Sequence, residues 1–437
     1  MTTSPESTTS GAVHPEEVSA GYKNYVLVLL VVVYVFNFVD RTILSILLEP
    51  IKAEFDLSDT QLGFLSGLAF ALFYTFMGIP IARWADRGVR RTIISISLFT
   101  WSAMTAFTGA AQNFGMLLAA RVGVGVGEAG CSPPAHSLLS DYFPAERRAT
   151  ALAVYSLGIP IGSGIGYLAG GWLAEWFDWR TAFVVVGLPG ILLAIVVQWT
   201  LREPVRGAYD PPAPEAARKS FREVLDFLLA RRSFRHMALG AALHAFYGYG
   251  AGAFNPAFFV RSHGLSVGEI GTWLAAIGFT GGVLGTYLGG YLSDRIANRD
   301  VRWYMWLPAV STALYVPFVF LLYLWPTPYG ALALALPGSL LGSMYLGPTF
   351  AMTQTLVRPE MRAVASAILL FIINLIGLGF GPQGVGFLSD LLAPSLGVES
   401  LRYALLAVVV VFACWSVVEY TLAARTLRED LESRDAL

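Results

Sequence analysis

The chain has 437 residues, of which 55% are hydrophobic and only 14% charged, and its mean hydropathy is +0.60. A soluble globular protein carries about 25% charged residues, so this composition excludes the soluble classes and indicates a multi-span membrane protein. The net charge of −1 gives no sign of a nucleic-acid partner. Cys131 and Cys414 both lie in apolar segments, and no disulfide framework or metal-ligand spacing is present. We therefore predict no metal and no cofactor.

Twelve apolar segments alternate with polar ones, and each is long enough for a helix to cross a bilayer. Residues 1–23 lack an apolar core and predict a disordered tail rather than a cleaved signal peptide. The polar stretch 202–235 separates an N-terminal bundle, 24–201, from a C-terminal bundle, 236–424, and a charged tail, 425–437, follows. The predicted spans are 24–48, 61–82, 92–111, 115–138, 149–172, 181–201, 236–260, 268–291, 303–325, 329–351, 363–388 and 401–424.

The Lys and Arg residues are distributed unevenly between the two sides of these spans. Of the 29, 23 fall in segments on the side of the N-terminus and four on the opposite side, while Arg41 and Arg121 lie within spans. Cytoplasmic loops carry the excess of Lys and Arg. This bias predicts that both termini and the central linker are cytoplasmic.

The first span contains an acid and a base side by side, Asp40 and Arg41. A charge inside a membrane span costs at least about 2.5–3.5 kcal/mol and usually faces a partner or a wet cavity. Asn37 and Arg41 share one helical face, and Asp40 lies at its edge. The pair either has a function that needs charge inside the membrane or only fixes helix packing.

The run ARWADRGVRR at 82–91, between spans 2 and 3, resembles the loop signature G-x-x-x-D-R-x-G-R-R of the major facilitator superfamily. It departs twice, because Ala82 replaces the first glycine and Gly88 comes one position early. A second copy, GYLSDRIANR, occupies 290–299 in the second half. The resemblance implies an all-α membrane protein whose twelve transmembrane helices form two six-helix bundles.

The same resemblance implies an inner gate. In it Asp86 contacts the cytoplasmic start of helix 11, whose dipole favours an anion, and Arg87 and Arg91 brace the closed side. Asp294 and Arg295 hold the matching positions in the second half. These arginines also serve as ordinary cytoplasmic anchors.

The fourth span carries Arg121 and Glu128, seven residues apart and therefore on one helical face. Counted from the span ends, Arg121 lies at a depth similar to that of Arg41, and Glu128 lies near the midplane. Two acids and two bases therefore converge in the N-terminal half, and their mutual neutrality lowers the burial penalty. Such a cluster suits proton exchange, with Asp40 and Glu128 titrating; the alternative is a static structural cluster.

The second half has almost no charge in its spans and many aromatic residues. We expect it to form an apolar wall of the binding cavity, and His244 within it to be a packing residue. The predicted substrate-binding residues are Arg41, Arg121, Glu128, Asn37, Tyr155, Tyr247, Phe254, Tyr345 and Asn374.

The linker contains an amphipathic segment at 217–232. Phe221, Val224, Leu225, Leu228 and Leu229 form one apolar stripe, and the remainder is rich in bases. This pattern predicts a helix that lies either on the cytoplasmic membrane surface or on the inner face of the protein itself.

A repeat recurs at the ends of spans 2, 5, 8 and 11, where a glycine is followed four residues later by an acid. The copies are Gly171 with Glu175, Gly290 with Asp294, Gly386 with Asp390 and, in degenerate form, Ala82 with Asp86. Three-span units that alternate in direction are the inverted repeats of transporters.

The charges of spans 1 and 4, together with the altered loop signature, resemble the spinster-like group of the superfamily. This resemblance implies a proton-coupled transporter, rather than an enzyme, that moves lysolipids or sphingosine phosphate by alternating access. We expect a monomer in a bacterial inner membrane. The alternative is a proton-coupled symporter of sugar acids, a group that shares the Asp40-Arg41-Thr42 feature.

The orientation predicts the result of cysteine labelling with a membrane-impermeant reagent. Cysteines introduced into 49–60 and 261–267 should react from outside the cell, and those in 202–215 should not. The reverse pattern of labelling would contradict the assigned orientation.

Overall fold

In the computed structural model of the chain, the described residues are 13–14, 17–209 and 220–435. Much of the predicted N-terminal tail and the proline-rich part of the linker therefore lie outside the described residues. The first helix begins at Ala20, and the side chain of Ser19 caps it by accepting a hydrogen bond from the Tyr22 backbone N–H. The helical part of the chain thus starts slightly before the predicted boundary at residue 24.

The N-terminal half is built from ten helices. They are α1 (Ala20–Ile46), α2 (Leu48–Phe55), α3 (Asp59–Ser66), α4 (Leu68–Arg87), α5 (Arg90–Thr108), α6 (Phe114–Glu128), α7 (Ser132–Tyr142), α8 (Ala145–Ser156), α9 (Gly158–Trp176) and α10 (Trp179–Thr200).

A short helix in the linker and nine α-helices of the C-terminal half follow. They are α11 (Phe221–Leu229), α12 (Arg232–His263), α13 (Val267–Ile277), α14 (Val283–Ala297), α15 (Trp303–Leu324), α16 (Pro328–Gly342), α17 (Leu346–Thr355), α18 (Arg362–Ile373), α19 (Phe380–Leu396) and α20 (Ser400–Asp435). Two π-helical segments, Gly278–Gly282 and Asn374–Gly379, join α13 to α14 and α18 to α19.

Among the described residues, nine helical stretches are long and apolar enough to cross a membrane. One of them, Arg362–Ser433, makes two crossings, α18 with α19 and then α20, which are separated at Gly397. The more polar helices α5 and α12 supply the two remaining crossings. The all-helical architecture predicted from the sequence is confirmed, and its crossing helices agree with the expected twelve.

Six of the crossings are interrupted rather than continuous. The predicted fourth span, for example, is broken between α6 and α7, just before Pro133 and Pro134. Proline lacks the backbone N–H that would continue the helical ladder. Spans 8 and 11 are each interrupted by a π-helical segment, a feature that occurs frequently at functional sites.

The bundle has two opposite ends, and each can be recognised by the polar contacts between its helix termini. On the linker side, the Tyr22 hydroxyl donates to the Thr200 carbonyl oxygen at 2.6 Å, and the Ser233 backbone N–H donates to Asp430 at 2.7 Å. The opposite face, here called the far side, carries the α1–α3 turn and the α9–α10 turn, which are joined by the Arg180–Glu54 ion pair.

The buried apolar residues form three clusters. The largest lies from the middle of the bundle to the far side and contains residues of both halves, such as Leu62 and Phe183 with Phe258 and Val385. The other two clusters belong almost entirely to one half each. The two halves therefore share an apolar core toward the far side and separate toward the linker side.

The linker helix α11 packs on the protein itself. Val224 and Leu228 are fully buried in a cluster with Phe234, Met361 and Leu427. Of the two positions that the sequence leaves open, the structure therefore shows contact with the C-terminal half. The helix also keeps part of its predicted apolar stripe exposed, at Phe221 and Leu229.

Candidate functional site

A charge cluster occupies the centre of the N-terminal half. Nε of Arg41 donates to Oε2 of Glu128 at 2.5 Å, and the Glu128 side chain is fully buried. The Arg41 guanidinium lies 4.7 to 5.1 Å from the ring centroids of Phe38, Phe70 and Tyr74. Cation–π attraction of this kind is worth about 2 kcal/mol when it is shielded from water. Aromatic rings and one carboxylate thus stabilise a base deep in the bundle.

The other two charges of the cluster are held differently. Arg121 lies with its guanidinium 4.5 Å from the centroid of Phe70, and its Nε donates to the Leu65 carbonyl oxygen at 3.3 Å. Asp40 is 2% exposed, and neither of its carboxylate oxygens makes a hydrogen bond among the described residues. The structure therefore brings the four predicted charges into one region, but pairs only Arg41 with Glu128.

Uncompensated polar atoms surround this cluster. Within the described part of the chain, both side-chain polar atoms of Asn37, Oε1 of Glu128 and Oγ of Ser102 are buried without a hydrogen-bond partner. Leaving a buried polar group unpaired costs about 1–3 kcal/mol. Such a concentration of unpaired groups indicates a functional region rather than an ordinary core.

The predicted aromatic wall is only partly where we expected it. Tyr247 is buried against Tyr315 and hydrogen-bonded to His244, and Phe254 is fully buried in the apolar core. These two residues therefore pack inside the C-terminal half instead of facing the N-terminal half. The sequence does not show which positions of α12 are buried and which line the space between the halves, because residues 245–254 contain no charged side chain that would mark one face.

Tyr249 is the aromatic residue of α12 that faces the charges. It is 38% exposed and lies within electrostatic range of Arg41 and Tyr74. Tyr345, one of the predicted residues, stacks on His244 with ring centroids 3.7 Å apart and also lies near Tyr249. The sequence did not distinguish Tyr249 from the many other aromatic residues of the second half.

The remaining predicted substrate residues lie close to the interface between the halves or behind it. Asn374 begins the π-helical segment of span 11 and is partly buried. Tyr155 is fully buried and stacks on Tyr34 at 4.3 Å, behind the face that carries Arg41. Tyr155 therefore supports that face rather than lining the space between the halves.

On the far side, a polar network joins the two halves. Arg261 of α12 binds Asp59 through both terminal nitrogens at 2.7 Å and also binds Glu49 at 2.5 Å. Lys52 adds a second cation at 2.6 Å from Asp59. We call Glu49, Lys52, Asp59, Arg261 and Asp390 the far-side latch. Arg–carboxylate pairs with two parallel bonds are among the strongest polar contacts in proteins.

Two copies of the glycine–acid repeat complete the closure of the far side. Asp390 accepts hydrogen bonds from the backbone N–H groups of Asp59 and Thr60, at the start of α3. Glu175 accepts one from the backbone N–H of Gly268, at the start of α13. Helix N-termini have free N–H groups and a positive dipole end, so they favour a carboxylate. Each acid thus caps a helix of the opposite half.

The other two copies lie on the linker side and make no such contact. Asp294 accepts from the Tyr304 hydroxyl in its own half at 2.8 Å, and only the backbone carbonyl of Asp86 is bonded, by Arg206 of the linker. Among the described residues, no hydrogen bond or ion pair joins the two halves on this side. The protein is closed on the far side and open on the linker side.

The other predicted gate residues also lie on the open face. Arg87 and Arg295 are exposed, and Arg295 donates to the Tyr291 hydroxyl one turn away. Arg91 donates to the Leu201 carbonyl oxygen at 3.2 Å and so contacts the start of the linker.

Comparison with known proteins identifies the family. The family model described as Major Facilitator Superfamily matches residues 30–382. This chain belongs to the major facilitator superfamily. Within that superfamily it is a spinster-like transporter, as the following comparisons show.

Three relatives place the transporter in this group. It is 38% identical, over 92% of both chains, to an MFS-type efflux pump of Mycolicibacterium smegmatis. It is 27% identical to protein spinster homolog 3 of Danio rerio, over 90% of this chain and 83% of that protein. The chain also matches a crystal structure described as a bacterial homolog to the human lysosomal transporter spinster in an inward-facing and unoccupied conformation. The TM-score is 0.88 and the sequence identity is 36%, over 94% of this chain and 99% of that chain.

The latch predicts that loss of Arg261 opens the far side of the transporter. Breaking a buried ion pair costs about 3–5 kcal/mol, so Arg261→Gln should shift the balance between closed and open far sides more than tenfold toward open. Spin labels at Phe177→Cys and Val398→Cys, both about two-thirds exposed, report the distance across this face after Cys414→Ser removes the exposed native thiol.

The matched control is Arg180→Gln. Arg180 pairs with Glu54 on the same side, at 2.5 Å, but both residues belong to the N-terminal half. The control should therefore keep the wild-type distance distribution. An Arg261→Gln distribution identical to that of wild type would show that the latch does not hold the halves together.

Proposed function

We propose that this protein is a proton-coupled transporter of lysolipid-like amphiphiles, which it moves by alternating access. The observation that carries the proposal is the contrast between the two walls of the space between the halves. The N-terminal wall presents the Arg41–Glu128 pair, and the C-terminal wall presents the uncharged ring of Tyr249. A molecule with one charged end and one apolar tail fits both walls.

The headgroup contact centres on Arg41. This residue keeps 18% of its side chain exposed, whereas its partner Glu128 is fully buried. A lysolipid phosphate is an anion that a guanidinium binds through paired hydrogen bonds. When Glu128 takes up a proton, its attraction for Arg41 falls, and the phosphate can replace it as the partner of Arg41. Protonation and headgroup binding are coupled in this way.

The tail contact involves the aromatic side of the C-terminal half. The chain segments around Tyr249 and Tyr345, residues 245–254 and 339–352, contain no charged residue. Each buried CH₂ group contributes about 0.8 kcal/mol, so a long acyl chain placed there dominates the affinity. A sugar acid gains nothing from such a wall, which is why the lysolipid is favoured over the sugar-acid alternative.

Alternating access follows from the inverted repeats. In the structure Asp390 and Glu175 cap helices of the opposite half on the far side. By the same symmetry, Asp86 would cap the start of α18 and Asp294 the start of α8 when the linker side closes. Arg87, Arg91 and Arg295 then lie beside these contacts and stabilise them.

The orientation and the direction of transport belong to the same proposal. We place the linker side and both termini in the cytoplasm of a bacterial cell, so the open side faces inward. The crystal structure with a TM-score of 0.88 carries the description inward-facing, which supports this assignment. A relative named as an efflux pump supports export of the amphiphile.

A chain-length series tests the substrate. Lysophosphatidylethanolamines of increasing acyl length, bound to the purified protein, should show affinity that rises with each CH₂ until the wall is filled. Tyr249→Ser should flatten this rise. Affinity that does not depend on tail length, together with tight binding of a hexuronate, would support the sugar-acid symporter instead.

The control for this series is Tyr403→Ser. Tyr403 is 40% exposed, similar to Tyr249, but it lies in the first turn of α20, on the far side. It should leave the chain-length dependence unchanged. A second variant, Tyr249→Phe, keeps the ring and removes the hydroxyl, so it should behave as wild type if the wall acts through apolar contact.

A further inference from the structure

His244 of α12 is a buried titratable residue to which the proposed function assigns no role. It is 3% exposed, as expected of the packing residue that the sequence predicts. Buried polar groups in proteins are hydrogen-bonded, and an imidazole ring has two nitrogens to satisfy. Both nitrogens of His244 have partners, and these partners come from more than one span.

One ring nitrogen of His244 contacts the end of α16. Nε2 lies 2.8 Å from the carbonyl oxygen of Gly342. A carbonyl oxygen can only accept a hydrogen bond, so this nitrogen carries the proton and donates. Gly342 is the last residue of α16, and the last carbonyl groups of a helix have no partner within that helix. His244 of span 7 therefore supplies a donor at the point where span 10 is interrupted.

The other ring nitrogen is held by hydroxyl groups. Nδ1 lies 2.8 Å from the Tyr247 hydroxyl oxygen and 3.2 Å from Oγ1 of Thr312. Because Nε2 carries the proton, Nδ1 of the neutral ring accepts from one of these hydroxyl groups. Tyr247 belongs to α12 and Thr312 to α15. The contacts at the two nitrogens thus join spans 7, 9 and 10 and fix the orientation of the ring.

The face of this fixed ring supports Tyr345. The rings of His244 and Tyr345 stack with centroids 3.7 Å apart and an angle of 21° between their planes. Tyr345 lies in the interruption of span 10, after α16 ends at Gly342 and immediately before α17 begins at Leu346. It is partly exposed and lies near Tyr249, whereas His244 is buried. A molecule between the halves therefore meets the ring of Tyr345 rather than that of His244.

The interruption is held only loosely by its own backbone. The N–H groups of Ser343 and Met344 make hydrogen bonds of 3.2 to 3.4 Å to the last turn of α16. These bonds are longer than the usual distance of about 2.9–3.0 Å. The position of Tyr345 therefore depends on contacts from other spans. His244 supplies two of them, the hydrogen bond to Gly342 and the stacked ring.

We propose that His244 is a positioning residue that sets the preference of the transporter for long acyl tails. It fixes the interruption of span 10 and thereby holds the ring of Tyr345 in the apolar wall. A ring that is already in place need not be ordered when the tail binds, so the tail keeps more of the free energy gained by burial. This inference rests on the proposed function, in which that wall binds the tail.

Hydrogen–deuterium exchange tests the positioning without any lipid. In His244→Phe the ring can still stack on Tyr345 but cannot donate to Gly342. The backbone amides of 343–346 should therefore exchange several-fold faster than in wild type. His244→Gln has an amide N–H that can donate to the same carbonyl oxygen, so its exchange should stay close to that of wild type. Wild-type exchange in His244→Phe overturns the proposal.

The matched control is Ser311→Ala. Ser311 is buried in α15 beside Thr312, but its hydroxyl group donates to the Pro308 carbonyl oxygen of its own helix. The control removes a buried hydroxyl group without touching His244. It should leave the exchange of 343–346 unchanged. Faster exchange in the control, equal to that in His244→Phe, would show a general loosening of the C-terminal half and overturn the proposal.

A lysolipid series tests the effect on specificity. His244→Phe should reduce the ratio of affinities for long-tail and short-tail lysophosphatidylethanolamine several-fold, and Tyr345→Ala should do the same. Because His244 acts through the ring of Tyr345, the double variant should lose no more than Tyr345→Ala alone. Losses that add in the double variant show two independent effects and overturn the proposal.

The two measurements separate this inference from the proposed function. Wild-type affinity that does not depend on tail length contradicts the proposed substrate. If the exchange pattern is nevertheless as expected, the positioning of Tyr345 by His244 remains supported. If the wild type prefers long tails and His244→Phe keeps that preference, the proposed substrate stands and the role of His244 is overturned.

Discussion

The central constraint on this structure is that the N-terminal helix bundle, whose interior has a low dielectric constant, must hold four charged side chains. Arg41 and Glu128 form a short ion pair beside three aromatic side chains, whereas Asp40 is buried and accepts no hydrogen bond within the described part of the chain. An ion pair of this kind compensates its own desolvation only when both members stay charged and close. Neutralising Glu128 therefore weakens its attraction for Arg41, and the proposed coupling of protons to transport rests on this step.

The second constraint is geometric and comes from the inverted repeats. The acids at the ends of spans 5 and 11 cap helices of the opposite half, and close helix approach makes this possible: a β-carbon at Gly63 would lie 2.5 Å from the Pro382 carbonyl oxygen. Their counterparts on the linker side, Asp86 and Asp294, are free of the opposite half among the described contacts. The acid of the glycine–acid repeat thus occurs at both faces, but it caps a helix of the opposite half only on the far side among the described residues.

The sequence allowed the span plan, the repeat and the charge cluster to be predicted, because charges within long apolar segments are rare and conspicuous. It did not show which aromatic residues of α12 face the space between the halves, because residues 245–254 contain no charged side chain that would mark one face; Tyr247 and Phe254 could therefore not be distinguished from Tyr249. The far-side latch was missed for another reason. Glu49, Asp59 and Arg261 lie near the polar ends of separate helices, and only the packing of the two halves brings both acids within 3 Å of Arg261.

The most direct test of the account is whether lysolipid movement carries protons through the Arg41–Glu128 pair. In proteoliposomes that contain a pH-sensitive dye, an imposed gradient of lysophosphatidylethanolamine should change the internal pH when the wild-type protein is present. With Glu128→Gln, the account predicts that lipid movement no longer changes the internal pH. Lipid movement by the wild type without any pH change, or a Glu128→Gln protein that still moves protons with the lipid, would contradict it.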